Sequence, residues 1–559
     1  MPSTAITAAG DAYWQWVLRT EPTWATYLGD PRYNDQLPRV GPADIDRQLS
    51  ELGALRAQVA AIDPAGLDDA DRVTRSILDH LLASQVQERE HKFHQWNVDQ
   101  MFGPQVWLLE LLNYHPFRIE KDVLDLISRF QAFPKYIDEH VANLRQGIEE
   151  GRVAPRAAVT RVAGQLEALL ATPPDKSPLA LALKQRPASA SSLDGRLLES
   201  IRDAVYPAYA KYLAFLRGDY ASKAREEVGV WATTGGDAAY AFRVRHHTTT
   251  NLTPDQLHEI GKEELRSILA EMQEIARKLG HAGDVKSFFA KLMADRANFW
   301  STREEILRHF ERVLDKCSAA LPKAFGRLPK TPCIVKAIED YREKDCVAAF
   351  YYQPPEDLSR PGIFYANTYQ PSTRLKCNNA ALTVHEAVPG HHLQIAISVE
   401  MQGLPPFRRH GMFTAFVEGW ALYTERLADE MGLYEDDLER FGMLTYQAWR
   451  ACRLVVDTGL HSKKWTRQQS IDFFKANIAL GETEIVNEVD RYIIWPGQAL
   501  AYKVGQREIS RLRAEAKKTL GPAFDIRGFH DEVLRHGALP LTTLEEVVHR
   551  WSTKAATPV

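Results

Sequence analysis

Helical periodicity is the feature that most restricts how this 559-residue chain can fold. In the segment 69–93, apolar residues recur every three to four positions and charged residues occupy the other face, as in an amphipathic helix. The segment 251–280 also carries end signals, with Thr253 as N-cap, Pro254 at the first helical position and Gly280 at the end. Similar segments follow one another along most of the chain, so we predict a mainly α-helical protein.

Strand-like sequence is scarce and lies in one part of the chain. It is rich in β-branched and aromatic residues and is bounded by Pro or Gly, in the segments 333–338, 346–353 and 362–369. The sequence has no repeat at a fixed period and no long linker. It therefore predicts one mainly helical domain with a small β-sheet near its centre.

Composition excludes several classes of protein. The chain has 69 basic and 73 acidic residues, a net charge of -4, whereas a nucleic-acid-binding protein normally has a concentrated basic face. No apolar run reaches the roughly 18 residues of a membrane helix, and the N-terminus lacks the pattern of a signal peptide. The five cysteines are odd in number and scattered, which indicates reduced thiols and not a disulfide framework. We expect a cytoplasmic protein with neither nucleic acid nor membrane as a partner, and the sequence leaves open whether it forms a homodimer.

The stretch 383–394 contains the residues with the clearest chemistry, His385-Glu386 followed by His391-His392. In zinc hydrolases, two histidines on one helix hold the metal and the glutamate polarises the water bound to it. On a regular helix His385 and His391 would point about 240° apart, and His392 would lie two turns, about 10.5 Å, from His385. An undisturbed helix therefore cannot bring either pair to one ion.

Pro389 and Gly390 could interrupt the helix and so bring a second histidine close to His385. Pro389 lies four residues after His385, so the helical hydrogen bond to the His385 carbonyl is lost and the ring crowds that turn. Gly390 can adopt conformations that other residues avoid. If the Pro-Gly pair is extruded as a bulge, His391 takes the place of the second zinc ligand, and His392 is the substitute if the bulge is larger.

A catalytic zinc site needs a third protein ligand, and Glu418 is the candidate. It begins an apolar segment 27 residues beyond His391, where a carboxylate is expected to be buried and to need a partner. Glu425, two turns further on and on the same face, could orient a ligand histidine through a hydrogen bond.

The motifs HEAVPGHHLQ (385–394) and VEGWALYTERL (417–427) resemble the bacterial family known as domain of unknown function 885, and the similarity covers most of the chain. That family is similar to helical zinc peptidases of the carboxypeptidase Taq type and, more distantly, to thimet-type oligopeptidases and angiotensin-converting enzyme. The resemblance implies a helical domain over 1–559 with zinc at the floor of a deep groove between lobes 1–330 and 331–559.

The same resemblance implies roles for individual residues. His385, His391 and Glu418 match the three zinc ligands, and Glu386 matches the general base. The function expected is that of a zinc metallopeptidase acting on short peptides, as a carboxypeptidase or an oligopeptidase. A hydrolase of another amide or ester, and a non-catalytic protein that binds metal, are the alternatives.

Two residues of the segment 488–505 could assist the reaction. A tetrahedral intermediate needs a hydrogen-bond donor for its oxyanion. In the related peptidases a downstream tyrosine has this part, for which we choose Tyr502 over Tyr492. Arg491 could bind the terminal carboxylate of a peptide, or it could form a structural ion pair with Glu488 or Asp490.

Other candidates are less specific. The segment 362–369, which ends at Tyr369, could be an edge strand that pairs with substrate, or a buried strand. Asp457 and His461 could lie near the metal, with His461 as a proton donor, or could simply occupy a helix C-terminus. His247 could contact substrate.

Overall fold

The computed structural model describes residues 4–339, 343–358 and 360–556. It confirms the mainly α-helical class predicted from the sequence. The chain forms two compact units, Met1–Ala239 (the N-terminal unit) and Tyr240–Val559 (the C-terminal unit), while the predicted lobes 1–330 and 331–559 stay a prediction. None of the described helices combines the length and the apolar character that a membrane crossing requires.

The N-terminal unit is built entirely from helices and short helical turns in its described part. Its α-helices are α1 (Thr4–Thr20), α2 (Pro22–Tyr27), α3 (Pro42–Ala60), α4 (Asp69–Glu90), α5 (Pro104–Glu110), α6 (Glu120–Glu149), α7 (Arg156–Leu170), α8 (Ala182–Gln185), α9 (Asp194–Ser200) and α10 (Tyr206–Phe215). The next helix, α11 (Gly236–Thr248), begins in this unit and continues into the C-terminal unit. The helix predicted over 69–93 is confirmed as α4.

The C-terminal unit contains the remaining helices and all the described strands. Its further α-helices are α12 (Pro254–Lys278), α13 (Val285–Ala294), α14 (Arg303–Ala320), α15 (Asn379–Glu386), α16 (His391–Glu400), α17 (Pro406–Arg409), α18 (Thr414–Glu430), α19 (Asp437–His461), α20 (Arg467–Asn477), α21 (Glu482–Ile494), α22 (Ala501–Leu520), α23 (Ile526–Leu534) and α24 (Leu541–Ala556). The helix predicted over 251–280 is confirmed as α12, where the Thr253 side chain and Gln256 cap each other's backbone N–H groups.

The three predicted strand segments form one small sheet. They are β1 (Cys333–Ala337), β2 (Ala349–Tyr352) and β3 (Gly362–Ala366), in the order β1-β3-β2, with β1 parallel and β2 antiparallel to β3. The expectation of an edge strand over 362–369 is wrong, because β3 is the central strand and pairs on both sides. The alternative of a buried strand is the correct one.

Helix α19 is the central element of the C-terminal unit. Every residue from Phe441 to His461 is buried, and α12, α15, α18, α20, α21 and α22 all pack against it. A helix covered on all sides is normally apolar all round. This helix nevertheless carries polar side chains at Gln447, Arg450 and Arg453, and each must be explained by what it touches.

Helices α18 and α22 approach each other closely through two glycines. A Cβ atom at Gly419 would lie 2.4 Å from the Cα of Gly505, and a Cβ at Gly505 would lie 1.8 Å from the carbonyl oxygen of Ala415. No larger residue fits at either position. This contact fixes α18, which carries Glu418, against α22, which carries Tyr502.

Candidate metal centre

The helix that carries His385 stops one residue later and is replaced by a second helix. Helix α15 ends at Glu386 and α16 begins at His391, so the residues Ala387–Gly390 form the interruption that the Pro-Gly pair predicts. The Gly390 N–H donates to the carbonyl of Val384 at 3.0 Å, and a Cβ at Gly390 would lie 2.0 Å from the carbonyl oxygen of His385. The loop can therefore fold back against α15 only with glycine at this position.

A tryptophan of α18 holds the same loop from the other side. The indole N–H of Trp420 donates to the Pro389 carbonyl at 2.9 Å, and the whole side chain is buried. Trp420 lies two residues beyond Glu418 on the same helix. The loop that orients His391 and the helix that presents Glu418 are thus joined by a direct hydrogen bond.

His385, His391 and Glu418 meet with their potential ligand atoms within 4.8 Å of one another. Glu418 Oε2 lies 3.5 Å from His385 Nε2 and 3.4 Å from His391 Nε2, and the two imidazole rings are nearly perpendicular at 87°. A tetrahedral zinc ion at about 2.0–2.1 Å from each ligand would place the ligand atoms about 3.3 Å apart. The donor set and its spacing therefore fit zinc.

His392 points away from this group. Its Nδ1 lies 2.9 Å from the hydroxyl of Tyr351, and its Nε2 lies 3.0 Å from the carbonyl oxygen of Thr331. Gly362 makes room for the ring, because a Cβ there would lie 2.5 Å from His392 Nδ1. Burial lowers the pKa of His392 to about 4, so the ring is neutral. The small sheet thus encloses His392, and of the two adjacent histidines only His391 faces Glu418.

The charges of the three clustered residues depend on one another. Burial alone would lower the pKa of His385, but hydrogen bonds to Glu418 and Glu425 raise it to about 9. Burial alone would raise the pKa of Glu418, but its bonds to His385 and His391 bring it well below the ordinary value. The carboxylate is therefore ionised, and a cation placed between the three side chains would be electrostatically favoured.

The group can be reached from one side. The Glu418 side chain retains 21% of its accessible surface, compared with 3% for His385 and 10% for His391. The Nδ1 atom of His391 is buried and finds no hydrogen-bond partner among the described residues. The site is closed on the His385 side and more open toward Glu418.

A chain of hydrogen bonds supports His385 from behind. Its Nδ1 lies 2.9 Å from Oε1 of the wholly buried Glu425, where the sequence analysis placed a carboxylate of this kind. The other Glu425 oxygen accepts from Gln447 Nε2 at 2.8 Å. The side-chain amide oxygen of Gln447 accepts a hydrogen bond from the buried Lys503 Nζ at 2.8 Å. Burial lowers the pKa of Lys503 to about 7. These bonds fix the ring so that Nε2 faces Glu418.

Glu386 is the last residue of α15 and lies directly beside His385 in sequence. Its side chain is buried, and this burial raises its pKa, partly offset by the positive charges of His391, His385 and Arg450. A buried carboxyl group at this place can both accept and return a proton, as a general base requires.

Tyr502 and Arg491 lie close to the arginines of α19. The Tyr502 ring is buried, 4.4 Å from the guanidinium carbon of Arg453 and 6.0 Å from that of Arg450. Arg491 donates to Glu488 at 2.9 Å, which is the structural ion pair considered as its alternative role. A carboxylate-binding role for Arg491 stays a prediction.

The three remaining candidate residues, His247, His461 and Tyr369, each have a polar contact within the protein. His247 Nδ1 lies 3.5 Å from the hydroxyl of Thr414, which is one helical turn before Glu418 on α18. His461 ends α19, wholly buried, with its Nε2 2.9 Å from the carbonyl oxygen of Tyr492. Tyr369 follows β3, and its hydroxyl accepts from Gln370 at 3.3 Å. The described contacts of His461 and Tyr369 do not reach His385, His391 or Glu418.

The sequence analysis missed Gln447 and Arg450. Their signal is present in the sequence, because Gln447, Arg450, Arg453, Asp457 and His461 recur every three or four residues in an otherwise apolar segment. Such spacing puts polar groups on one stripe of a buried helix. A stripe of this kind is costly unless each group meets a partner or a ligand.

Fold and site together define a mainly helical protein whose described residues include one largely buried His-His-Glu group with the spacing of a metal site. The chain belongs to DUF885, described as bacterial protein of unknown function, and the match covers residues 22–548. The comparison with curated proteins gave no match.

Solved structures share this fold over nearly the whole chain. One, from Colwellia psychrerythraea and described as a "putative lipoprotein", has a TM-score of 0.94 and 28% identity, covering 99% of this chain and 100% of that chain. Another, from Shewanella oneidensis and described as a "putative lipoprotein of unknown function", has a TM-score of 0.78 and 18% identity, covering 98% and 100%. The cytoplasmic location expected from the sequence stays a prediction.

Proposed function

We propose that the chain is a zinc-dependent metallopeptidase that hydrolyses short peptides. The observation that carries this proposal is the His385, His391 and Glu418 group, with ligand atoms within 4.8 Å of one another and Glu386 directly beside it. Two imidazoles and a carboxylate are a ligand set of catalytic zinc sites. The hydrogen bond from His385 to Glu425 adds the carboxylate–histidine pair that commonly accompanies such sites.

The number of ligands favours catalysis over a purely structural role. Structural zinc sites are usually closed by four protein ligands, whereas catalytic sites keep a position for water. Among the described residues, the group that could hold an ion here has three members, and its Glu418 side is the more exposed. This arrangement leaves room for a water molecule and a substrate carbonyl.

The chemistry divides between the ion and the side chains. Zinc bound at this group would lower the pKa of a water molecule and polarise the scissile carbonyl. Glu386 takes the proton from the attacking water and later passes it to the leaving amine. Glu425 and Gln447 keep the His385 ring in place through their hydrogen bonds at 2.9 and 2.8 Å.

Tyr502 is the proposed donor to the oxyanion. It lies on α22 beside the guanidinium groups of Arg453 and Arg450, whose positive charges favour negative charge developing nearby. A tyrosine hydroxyl can stabilise an oxyanion by donating a hydrogen bond. Tyr492 is less suited, because its hydroxyl already donates to Glu488 at 2.6 Å.

Metal analysis and two kinds of variant test the proposal. The purified protein should bind about one zinc ion per chain, as one three-ligand site requires. His385→Ala and Glu418→Ala should lose it. Glu386→Gln should keep zinc and lower kcat for peptide hydrolysis by about 100-fold to 10,000-fold. Glu430→Gln is the matched control, since Glu430 lies on α18 and pairs with Arg513 at the surface.

Distinct results would overturn distinct parts of the proposal. A wild-type protein that stays metal-free after incubation with zinc would contradict the metal site itself. Zinc binding with undiminished hydrolysis by Glu386→Gln would contradict the mechanism. Zinc binding with hydrolysis of esters or non-peptide amides, and of no peptide, would contradict the substrate class.

A further inference from the structure

Arg450 is a buried cation whose hydrogen-bonding groups are not used by the protein. It lies on α19 with 5% of its surface exposed, and neither Nε nor Nη1 has a hydrogen-bond partner in the described ranges. Nor does any described carboxylate form an ion pair with it. Buried guanidinium groups are normally paired, because leaving an unpaired charge out of water is costly.

Three aromatic rings lie within cation–π distance of the Arg450 guanidinium. Its central carbon lies 4.8 Å from the ring centroids of both Tyr446 and Trp449, and 6.0 Å from that of Tyr502. Stacking of this kind uses the faces of the guanidinium plane. The N–H groups lie in the plane, so the contacts that stabilise Arg450 do not consume its donors.

The neighbouring arginines Arg453 and Arg491 differ from Arg450 in having an ion pair, although each also has one nitrogen without a hydrogen-bond partner among the described residues. Arg453 and Arg491 both donate to Oε2 of Glu488, at 3.1 and 2.9 Å, and Arg453 also donates to the hydroxyl of Tyr492 at 2.9 Å. One carboxylate therefore serves two arginines, and Arg450 is left over. The excess of positive charge at this place favours an anion supplied from outside the chain.

The position of Arg450 links it to the proposed metal centre. It lies one turn beyond Gln447 on α19, and Gln447 binds the Glu425 carboxylate that orients His385. Tyr502, the proposed oxyanion donor, lies beside the same guanidinium, with its ring centroid 6.0 Å from the central carbon of Arg450. We therefore expect an anion bound by Arg450 to lie near the scissile carbonyl, which would be attacked by the water molecule that Glu386 deprotonates.

A second carboxyl group, that of Glu484, interacts electrostatically with the same arginines. Burial and the charge of Glu488 raise the pKa of Glu484 to about 7, against the opposing effect of Arg374, Arg450 and Arg453. Glu484 forms no hydrogen bond with Arg450 in the described structure. It is therefore a neighbour of the cationic cluster and leaves the donors of Arg450 available.

We infer that Arg450 binds the free C-terminal carboxylate of the substrate, so that the enzyme removes the last residue of a peptide. The planar, always charged guanidinium matches a carboxylate with two parallel hydrogen bonds. This inference rests on the proposed peptidase function and selects carboxypeptidase action within it. It also gives Arg450 the part that the sequence suggested for Arg491, whose guanidinium is ion-paired with Glu488 and also contacts Gln498.

Three blocked dipeptide substrates test the assignment with the zinc-loaded full chain. They are N-acyl-Ala-Leu with a free carboxylate, its C-terminal amide, and N-acyl-Ala-Glu amide, which carries only a side-chain carboxylate. The wild type should prefer the free acid over its amide by at least about 100-fold in kcat/KM. Arg450→Met should lower kcat/KM for the free acid by about that factor and change hydrolysis of the amide by less than about threefold.

Two further variants make the comparison specific. Arg450→Lys keeps the charge without the planar fork and should give an intermediate loss for the free acid. Arg440→Gln is the matched control on the same helix, because Arg440 is paired with Asp429 and Asp437 near the surface. It should leave the preference for the free acid unchanged.

A binding measurement separates this inference from the proposed function. Calorimetry with chelator-treated full-length protein should show N-acetylleucine binding to the wild type at least about tenfold more tightly than N-acetylleucinamide, and equal binding of the two to Arg450→Met. If neither peptide is hydrolysed in the presence of zinc but this binding difference is found, the proposed function fails and the anion site stands.

The remaining outcomes overturn the inference while leaving the peptidase proposal intact. They are equal hydrolysis of free acid and amide by the wild type, an equal loss for both substrates in Arg450→Met, and an Arg450-dependent preference for the Ala-Glu amide. The last would assign Arg450 to a substrate side chain. If Arg450→Met does not fold, the same comparisons are made with Arg450→Lys, where an unchanged preference for the free acid would contradict the assignment.

Discussion

Arg129 in the N-terminal unit and Arg450 in the C-terminal unit are both buried arginines on long helices, yet their surroundings differ. Arg129 is wholly buried and its guanidinium is bonded all round, to the carbonyl oxygens of Pro22, Tyr33 and Gln36, the hydroxyl of Thr26 and the ring of His115. The guanidinium carbon of Arg450 lies 4.8 Å from two aromatic ring centroids, and its Nε and Nη1 have no hydrogen-bond partner among the described residues. The first joins segments of the fold, while the second has capacity for a ligand.

The same distinction separates the two adjacent histidines of the motif. Both ring nitrogens of His392 have partners in the protein, whereas His391 has one nitrogen facing Glu418 and another without a hydrogen-bond partner in the described residues. A buried polar group that the protein itself satisfies is structural, and one that it leaves incomplete is a candidate for function. The predictions below test this contrast.

The largest effect is expected from the histidine pair. His391→Ala should weaken zinc binding by about 4 kcal/mol, about a thousandfold in Kd, because metal-binding free energies of about 10–16 kcal/mol are shared among few ligands. His392→Ala should destabilise the fold and leave the zinc stoichiometry unchanged. Metal analysis and competition with a chelator measure both. Equal zinc loss in the two variants would remove the contrast between them.

Replacing each arginine by methionine compares the two regions directly. Arg129→Met should cost about 3–5 kcal/mol of unfolding free energy, because several buried oxygen atoms lose their donor. Arg450→Met should cost less than about 1 kcal/mol or even stabilise, since no protein group loses a partner. Denaturant unfolding measures both. A loss at Arg450 as large as that at Arg129 would mean that Arg450 is structural.

Acidification should lower the free energy of unfolding through buried neutral histidines such as His140 in the N-terminal unit. Burial lowers the pKa of His140 from its ordinary 6.5 to about 4. Between these values the unfolded chain takes up a proton that the folded chain does not, so stability falls as the pH falls, by about 3 kcal/mol in total, and this contribution is constant below pH 4. The free energies of unfolding measured at pH 7 and at pH 4 should therefore differ less in His140→Gln than in the wild type. An identical pH dependence would contradict burial of a neutral ring.

The smallest effect is expected from Glu425, which is hydrogen-bonded to the proposed zinc ligand His385. Glu425→Gln keeps the shape of the side chain but weakens its bond to His385 Nδ1, now 2.9 Å long. Zinc affinity should fall by about 10-fold to 100-fold, as for other carboxylates that orient a ligand histidine. Chelator competition measures the change. Unaltered affinity would show that Gln447 and the packing of α18 suffice to orient the ring.

The elements with strong local signals could be predicted from the sequence. The capping residues around Thr253 define the start of α12, and the three strand segments have the composition of strands. The Pro389-Gly390 pair even indicated that the helix breaks between the two histidine pairs. Each of these depends on neighbours in sequence, which a single chain displays.

What depended on tertiary contacts could not be predicted. The sequence could not decide whether β3 is an edge strand or a buried strand, because its position between β1 and β2 is set by strand pairing. Arg450 and Gln447 acquire meaning only once α19 is surrounded by other helices, because only then is a polar side chain without a partner recognisable. The stripe of polar residues on α19 was visible in the sequence, but its burial was not.

Anomalous diffraction at the zinc edge from crystals grown with zinc tests the central claim most directly. The expected result is one strong peak per chain, about 2.0–2.1 Å from Nε2 of His385, Nε2 of His391 and a carboxylate oxygen of Glu418, with no peak at His392. The absence of a peak at this group, or a peak bound by His392, would contradict it.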